Sequence, residues 1–288
     1  MVSSCKEKNQ ENAIEQETAS KREVLNDSSI FKGIDISSIE SIIQGIWLPR
    51  TYVQDIYETQ SAFSAYRSIP GIAEMQINPE KIRNDTLYVR SSLNNHEGYG
   101  FRIWFTKEND QIIIKTDVRN WDSEQFDFEL KYLIEQDTML RLVAIDKAGN
   151  AKNSIDYLRI RSKEFITDFG GLGYEYLARK TLLNGSFTIL DSTKSSLGEA
   201  YFSADNASIE GFKYNYYSIL TDFGGGPSFE GDHIIFRPEK DDYKNTESYV
   251  IQSVSDTLIL YSTMEKVSDS DYEIILKDKV YYLIKNKN

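Results

Sequence analysis

Between Phe126 and Ile134 apolar and polar positions alternate: Phe126, Phe128, Leu130, Tyr132 and Ile134 against Asp127, Glu129, Lys131 and Leu133, with Glu135 following. A period of two places one set on a buried face and the other in water, the signature of a half-buried strand. Similar runs at 87–89, 99–105, 111–118, 139–145 and 155–160 predict further strands. Asp146-Lys147-Ala148-Gly149-Asn150 reads as a hairpin turn between two of them. In the second half the runs fall at 187–190, 198–202, 207–212, 214–220, 233–236, 249–252, 257–261, 272–276 and 280–284. Two stretches show helical spacing instead. Ile36, Ile39, Ile42 and Ile43 predict one helix, with Asp35 as N-cap and Gly45 as stop. Tyr174, Leu177, Ala178 and Leu182 predict another, leading into Asn184-Gly185-Ser186-Phe187.

The halves resemble each other. Each opens with a short helix and a glycine-x-aromatic run, Gly45-Ile46-Trp47 or Gly185-Ser186-Phe187. Each nears its end on a matching strand, Asp137-Thr138-Met139-Leu140 or Asp256-Thr257-Leu258-Ile259. Each closes on an aromatic strand, Asp156-Tyr157-Leu158-Arg159-Ile160 or Val280-Tyr281-Tyr282-Leu283-Ile284. The expected organisation is a disordered tether over residues 1–30, a β-domain over 31–165 and a second over 166–288. A helix, a Gly-x-Trp and a closing meander of strands resemble the lipocalin-like barrels. The resemblance spans about residues 36–162 and rests on Gly45 and Trp47, with Arg159 or Arg161 as the cation. It implies a mainly β fold of antiparallel up-and-down β-barrels, each preceded by a short helix. In such a barrel Gly45 and Trp47 seal one end, and Arg159 or Arg161 packs on the indole. The second half departs from the pattern: Phe187 replaces the tryptophan, and its last strand has no arginine. The family's Thr-Asp-Tyr motif has only Thr116-Asp117-Val118 and Thr221-Asp222-Phe223 as near equivalents.

The first residues carry a different signal. Val2-Ser3-Ser4-Cys5 resembles the lipobox of bacterial lipoproteins, whose cysteine thiol receives a diacylglycerol after signal-peptide cleavage. The charged and apolar segments that normally precede it are missing, so Met1 is expected to stand in place of most of a signal peptide. The resemblance implies lipid attachment at Cys5, a membrane-anchored place in the bacterial cell envelope, facing the periplasm or the surface, and the membrane as partner. The alternative is a free cysteine in a polar tail. Residues 6–29 are rich in Glu, Lys, Asn, Gln and Ser and carry few apolar residues, too few to offset the entropy of ordering them. They suit a flexible tether, and a short amphipathic helix over 13–25 would serve as a spacer just as well.

Composition narrows the chemistry. The 19 Tyr and 14 Phe against 5 Pro favour pleated structure. A net charge of −12 without a basic cluster argues against nucleic acid as a partner. One cysteine excludes a disulfide within the chain and a cysteine-based zinc site. Thr167-Asp168-Phe169-Gly170-Gly171 recurs as Thr221-Asp222-Phe223-Gly224-Gly225-Gly226. Without a nucleotide loop or a His-Arg-Asp segment these are glycine turns rather than kinase parts. His96 and His233 have acidic sequence neighbours but no serine elbow, which leaves loop histidines. Asp269, Asp271 and Glu273 alternate at a predicted hairpin tip without the glycine and late acid of a calcium loop. No catalytic group, metal ligand or cofactor is therefore assigned. Trp104, Tyr214, Tyr216 and Tyr217 are the candidate ligand-binding aromatics, with core packing as the competing role. The expected function is a non-catalytic envelope protein that binds a small apolar ligand or a glycan. The alternative is an envelope protein–protein assembly module with filled barrels, and a hydrolase without a recognisable motif ranks third.

Overall fold

A computed structural model describes residues 36–83, 86–108, 111–119, 126–134, 138–161, 172–223, 231–267 and 272–286. Cys5, the residues expected to form the tether, the N-cap Asp35 and the first Asp-Phe-Gly run lie outside these. So do Asp269, Asp271 and the side chain of Glu273. The boundary expected between residues 165 and 166 also falls outside.

The chain forms two closed antiparallel barrels of eight strands each. The mainly β fold of up-and-down barrels, each preceded in sequence by a short helix, is thus the fold the chain adopts. In the first, helix α1 (Ile36–Ile43) leads into β1 (Gly45–Pro49). Then come β2 (Ile72–Arg83), β3 (Thr86–Leu93), β4 (Glu97–Glu108), β5 (Gln111–Thr116), β6 (Phe126–Ile134), β7 (Thr138–Asp146) and β8 (Ala151–Arg161), which closes on β1. An insertion separates β1 from β2: helix α2 (Arg50–Thr59), the one-turn α3 (Ala62–Ala65) and a 3-10 turn (Tyr66–Ser68). Helix α4 (Leu172–Leu182) opens the second barrel. Its strands are β9 (Gly185–Asp191), β10 (Ser196–Ser203), β11 (Ser208–Glu210), β12 (Tyr216–Ile219), β13 (Asp232–Arg237), β14 (Glu247–Val254), β15 (Thr257–Val267) and β16 (Tyr272–Lys285). The runs at 272–276 and 280–284 are one strand, β16, which pairs with both β15 and β9. The run at 207–212 shortens to β11, because the chain turns at Gly211 (φ +83°).

Alternation places the cores. In β6, Phe128, Leu130 and Tyr132 are buried, whereas Asp127 is exposed and Glu129 and Lys131 are half-buried. These inward residues join Met75, Val89, Phe101, Ile103, Leu140, Leu142 and Tyr157 in one cluster, and Ile39 and Ile43 of α1 pack against its end. In the second barrel the interior is largely aromatic. Phe202 packs edge-on against Phe187 (5.4 Å) and Tyr217 (5.3 Å), and Tyr214 stacks on Phe236 at 5.0 Å. Tyr281 meets Phe212 at 5.5 Å and Tyr249 at 5.6 Å. Ring contacts at these distances fill space at crystal-like density.

The insertion and β2 join the barrels. Tyr52, Val53 and Ile56 of α2 and Ala73 of β2 share a core with Tyr174, Leu177 and Ala178 of α4 and with the second-barrel interior. Glu74 and Gln76, whose parity in β2 points away from the first barrel, are buried against this junction. The Glu74 carboxylate accepts the N–H of Gly173 at 2.8 Å and the side-chain amide of Gln76. A carboxylate at the first turn of α4 satisfies an orphan donor and complements the helix dipole.

The hairpin at Asp146 shows how the turns are set. Its carboxylate accepts the N–H groups of Ala148 (2.9 Å) and Asn150 (2.8 Å) and pairs with Lys152 at 3.0 Å. These donors hold its pKa down to about 2.

Candidate functional site

The sealed end of the first barrel is built by Gly45, Trp47 and Arg159. Gly45 sits at φ +141°, and a Cβ there would lie 2.6 Å from the Arg161 carbonyl oxygen, so the chain enters β1 through a residue without a side chain. Two residues on, Trp47 is fully buried, and its indole N–H donates to the Ile43 carbonyl at 2.8 Å. Strand register sets Trp47 opposite Arg159, whose guanidinium carbon lies 5.4 Å from the ring centroid. One of its nitrogens donates to the carbonyls of Ile42 (3.0 Å) and Gln44 (3.4 Å). The same cation thus stacks on the indole and satisfies carbonyls at the C-terminal end of α1. Arg161 is placed elsewhere: its guanidinium lies 4.0 Å from the Tyr176 ring centroid and pairs with Asp205 at 3.1 Å, tying the first barrel to the second.

The second barrel repeats the entry. Gly185 has φ +122°, and Phe187 two residues later is buried. Register places Lys285 opposite Phe187, as Arg159 stands opposite Trp47, although Lys285 is exposed. The last strand of the second half has no arginine, and strand pairing reveals a lysine at this position instead.

The four candidate ligand-binding aromatics do not converge. Trp104 is half-buried in β4, out of parity with the inward Phe101 and Ile103. Tyr214 and Tyr217 belong to the second-barrel core. Tyr216 faces outward and lines an open depression of about 720 Å³ with Asn215, Pro238, Glu239 and Asp242. Tyr214 has polar company in Lys213, whose ammonium lies 4.5 Å from its ring centroid, and in Glu247. Burial, joined by the Glu247 carboxylate, pushes the Tyr214 phenol up to about 12.

The histidines and the second Asp-Phe-Gly run have structural positions that sequence neighbours did not suggest. His96 Nδ1 lies 2.9 Å from the Asp222 carboxylate, and the Asn95 side chain donates to the Thr221 carbonyl at 2.7 Å. Phe223 packs edge-on against Phe63 (5.1 Å) and Tyr66 (5.3 Å). The run therefore clasps the β3–β4 turn and the insertion to the second barrel. His233 is buried in β13 beside Asp232, whose carboxylate accepts the N–H of Phe63 at 2.9 Å. Among the described residues no three His, Cys, Asp or Glu side chains are grouped to hold a metal, and no helix is long and apolar enough to cross a membrane.

The Asp222 hydrogen bond, helped by its charge, raises the pKa of His96 above its ordinary 6.5. A raised folded-state pKa contributes stability that is complete below the unfolded value and is lost as pH rises through the folded one. The clasp should therefore hold below about pH 6.5 and weaken as the solution is made more alkaline. NMR titration should place His96 above 6.5 in the wild type and lower it in Asp222→Asn. An unchanged titration in that variant would remove the clasp.

A cleft of about 320 Å³ opens between the outer face of the first barrel and α4, lined by Val53, Tyr57, Thr138, Leu158, Arg159, Ile160, Tyr176, Leu177 and Lys180. None of these positions was singled out from the sequence as a ligand contact. They come from four separate elements, and only tertiary packing assembles them.

The class defined by fold and surface is a tandem of two closed eight-stranded antiparallel β-barrels, consistent with the lipocalin-like barrel. Comparison with protein-family models, with curated proteins and with solved structures gives no significant match.

Proposed function

We propose that this chain is a non-catalytic bacterial envelope lipoprotein that acts as a protein–protein assembly module, with its two barrels docked into one tethered body. The observation that carries the reading is the filling of both interiors by the chain's own side chains. Trp47, Phe101 and Tyr157 pack in the first, and Phe187, Phe202, Tyr217 and Phe236 in the second. A barrel filled in this way offers its outer surface rather than its interior to a partner, which favours assembly over carriage of an apolar molecule or glycan inside. Exposed apolar residues such as Leu197 and Tyr201 on β10 are available for such contact. The lipobox-like Val2-Ser3-Ser4-Cys5 and the polar stretch behind it support the anchor. A diacylglycerol on Cys5 supplies two acyl chains, enough for stable membrane attachment.

One experiment addresses both parts. A photocrosslinking amino acid at Tyr201 of the lipidated precursor should give a discrete protein adduct in membranes. Cys5→Ala should move the chain to the soluble fraction and abolish that adduct. Unchanged membrane partition of Cys5→Ala would sink the anchor. Absence of any discrete adduct at exposed positions across both barrels would sink the assembly role.

A further inference from the structure

We propose that the open depression beside Tyr216 binds an uncharged pyranose sugar. It lies on the outer surface of the second barrel, where β12 begins at Tyr216 and β13 ends at Arg237, and these two residues face each other across the strand pair. The site needs neither a barrel interior, the lipid anchor nor a protein partner, so it stands apart from the assembly role. At about 720 Å³ it falls within the usual range for ligand sites. Tyr216 and Pro238 supply its apolar part, and the rest of the lining is polar. The chain's own bonds brace the rim. The Asn215 side-chain amide donates to the Pro238 carbonyl at 2.8 Å, and the Arg237 guanidinium donates to the Lys240 carbonyl at 3.3 Å. The Asp242 carboxylate accepts the N–H groups of Lys244 and Asn245, each at 3.0 Å. A rim held in this way loses little freedom when a ligand arrives.

A sugar ring has an apolar C–H face and a girdle of hydroxyls, so it calls for a flat apolar surface beside several hydrogen-bonding groups. Tyr216 answers the first need, half-buried on the outward face of β12. Asn215 helps to meet the second: its amide nitrogen is used at Pro238, and its oxygen is left to accept. Glu239, Lys240 and Asp241 complete the set. These three are exposed, and their side chains have no partner among the described residues. Hydroxyls donate to carboxylate and amide oxygens and accept from an ammonium, and bonds to charged groups are the stronger kind. With Asp242, the lining sets three carboxylates against one ammonium, which disfavours an anionic sugar. A metal does not account for the acids, because no three His, Cys, Asp or Glu side chains among the described residues are grouped to hold one. A wholly apolar ligand does not fit either, since it would take these polar groups out of water without partners.

NMR titration of the purified full chain with cellobiose, maltose and N,N′-diacetylchitobiose tests this. At least one should bind saturably with a Kd of about 1 mM or tighter, and that binding should persist with EDTA present. Amide shifts should cluster at Asn215, Tyr216, Glu239 and Asp241. Tyr216→Ala should weaken binding roughly tenfold or more, as for loss of an aromatic anchor. Should that variant fail to fold, Glu239→Ala combined with Asp241→Ala, both exposed, should give a roughly tenfold loss at an unchanged melting temperature. The site is refuted if none of the sugars saturates the chain below about 10 mM. It is equally refuted if a folded variant of either kind binds like the wild type, if EDTA abolishes binding, or if the shifts map elsewhere.

Discussion

Trp47→Ala should destabilise the first barrel by about 3–5 kcal/mol, as expected for deleting a large, fully buried aromatic side chain. Three losses combine in that figure. The indole leaves a hole beneath α1, its N–H no longer holds the Ile43 carbonyl, and Arg159 loses the ring on which it lies. Denaturant unfolding followed by far-UV circular dichroism measures the change without using the deleted tryptophan as the probe. A milder companion, Arg159→Lys, keeps a cation but loses the planar guanidinium that stacks and bonds together, so it should cost much less than Trp47→Ala. A loss under about 1 kcal/mol for Trp47→Ala would show that this end of the barrel is held by something else.

Phe202→Ala should have an effect of the same size in the second barrel, about 3–5 kcal/mol. Phe202 touches Phe187, Tyr217 and Phe236, the last at 6.5 Å between centroids, so its removal opens a void that no single neighbour can fill. The outward Tyr201 beside it is 47% exposed, and Tyr201→Ala should change stability by only about 0.5 kcal/mol or less. The contrast between adjacent residues in β10 is the strand period expressed as energy. Equal losses at the two positions would contradict the inward assignment of Phe202.

The sequence was most legible where one face of a strand meets water. β6 alternates clearly because its outer face is partly solvated, and α1 shows its helical spacing because only one face packs. Legibility failed at the junction of the barrels. No strand was expected at 72–83: in β2 the polar Glu74 and Gln76 are covered by α4, and polar residues bonded within a buried junction leave no apolar signal. Tyr52, Val53 and Ile56 in α2 do carry helical spacing, yet no helix was expected at 50–59. The tyrosines at 214, 216 and 217 look like one cluster in sequence. The turn at Asn215 and the strand pleat send Tyr216 outward and its neighbours inward. Pairs such as His96 with Asp222 and Phe63 with Phe223 are far apart in sequence, and periodicity cannot report them. The same holds for the cleft between the first barrel and α4, whose lining comes from four elements.

The most direct test of the filled-barrel claim is diffraction from xenon-pressurised crystals of the wild type and of Phe202→Ala. Xenon enters dry apolar voids and has no chemistry to satisfy, so it reports empty space alone. The expected result is no xenon inside either wild-type barrel, and one new site in Phe202→Ala bounded by Phe187, Tyr217 and Phe236. Xenon bound inside a wild-type barrel would reveal an unfilled interior, contradict the assembly module, and return the barrels to the carriage of a small apolar molecule.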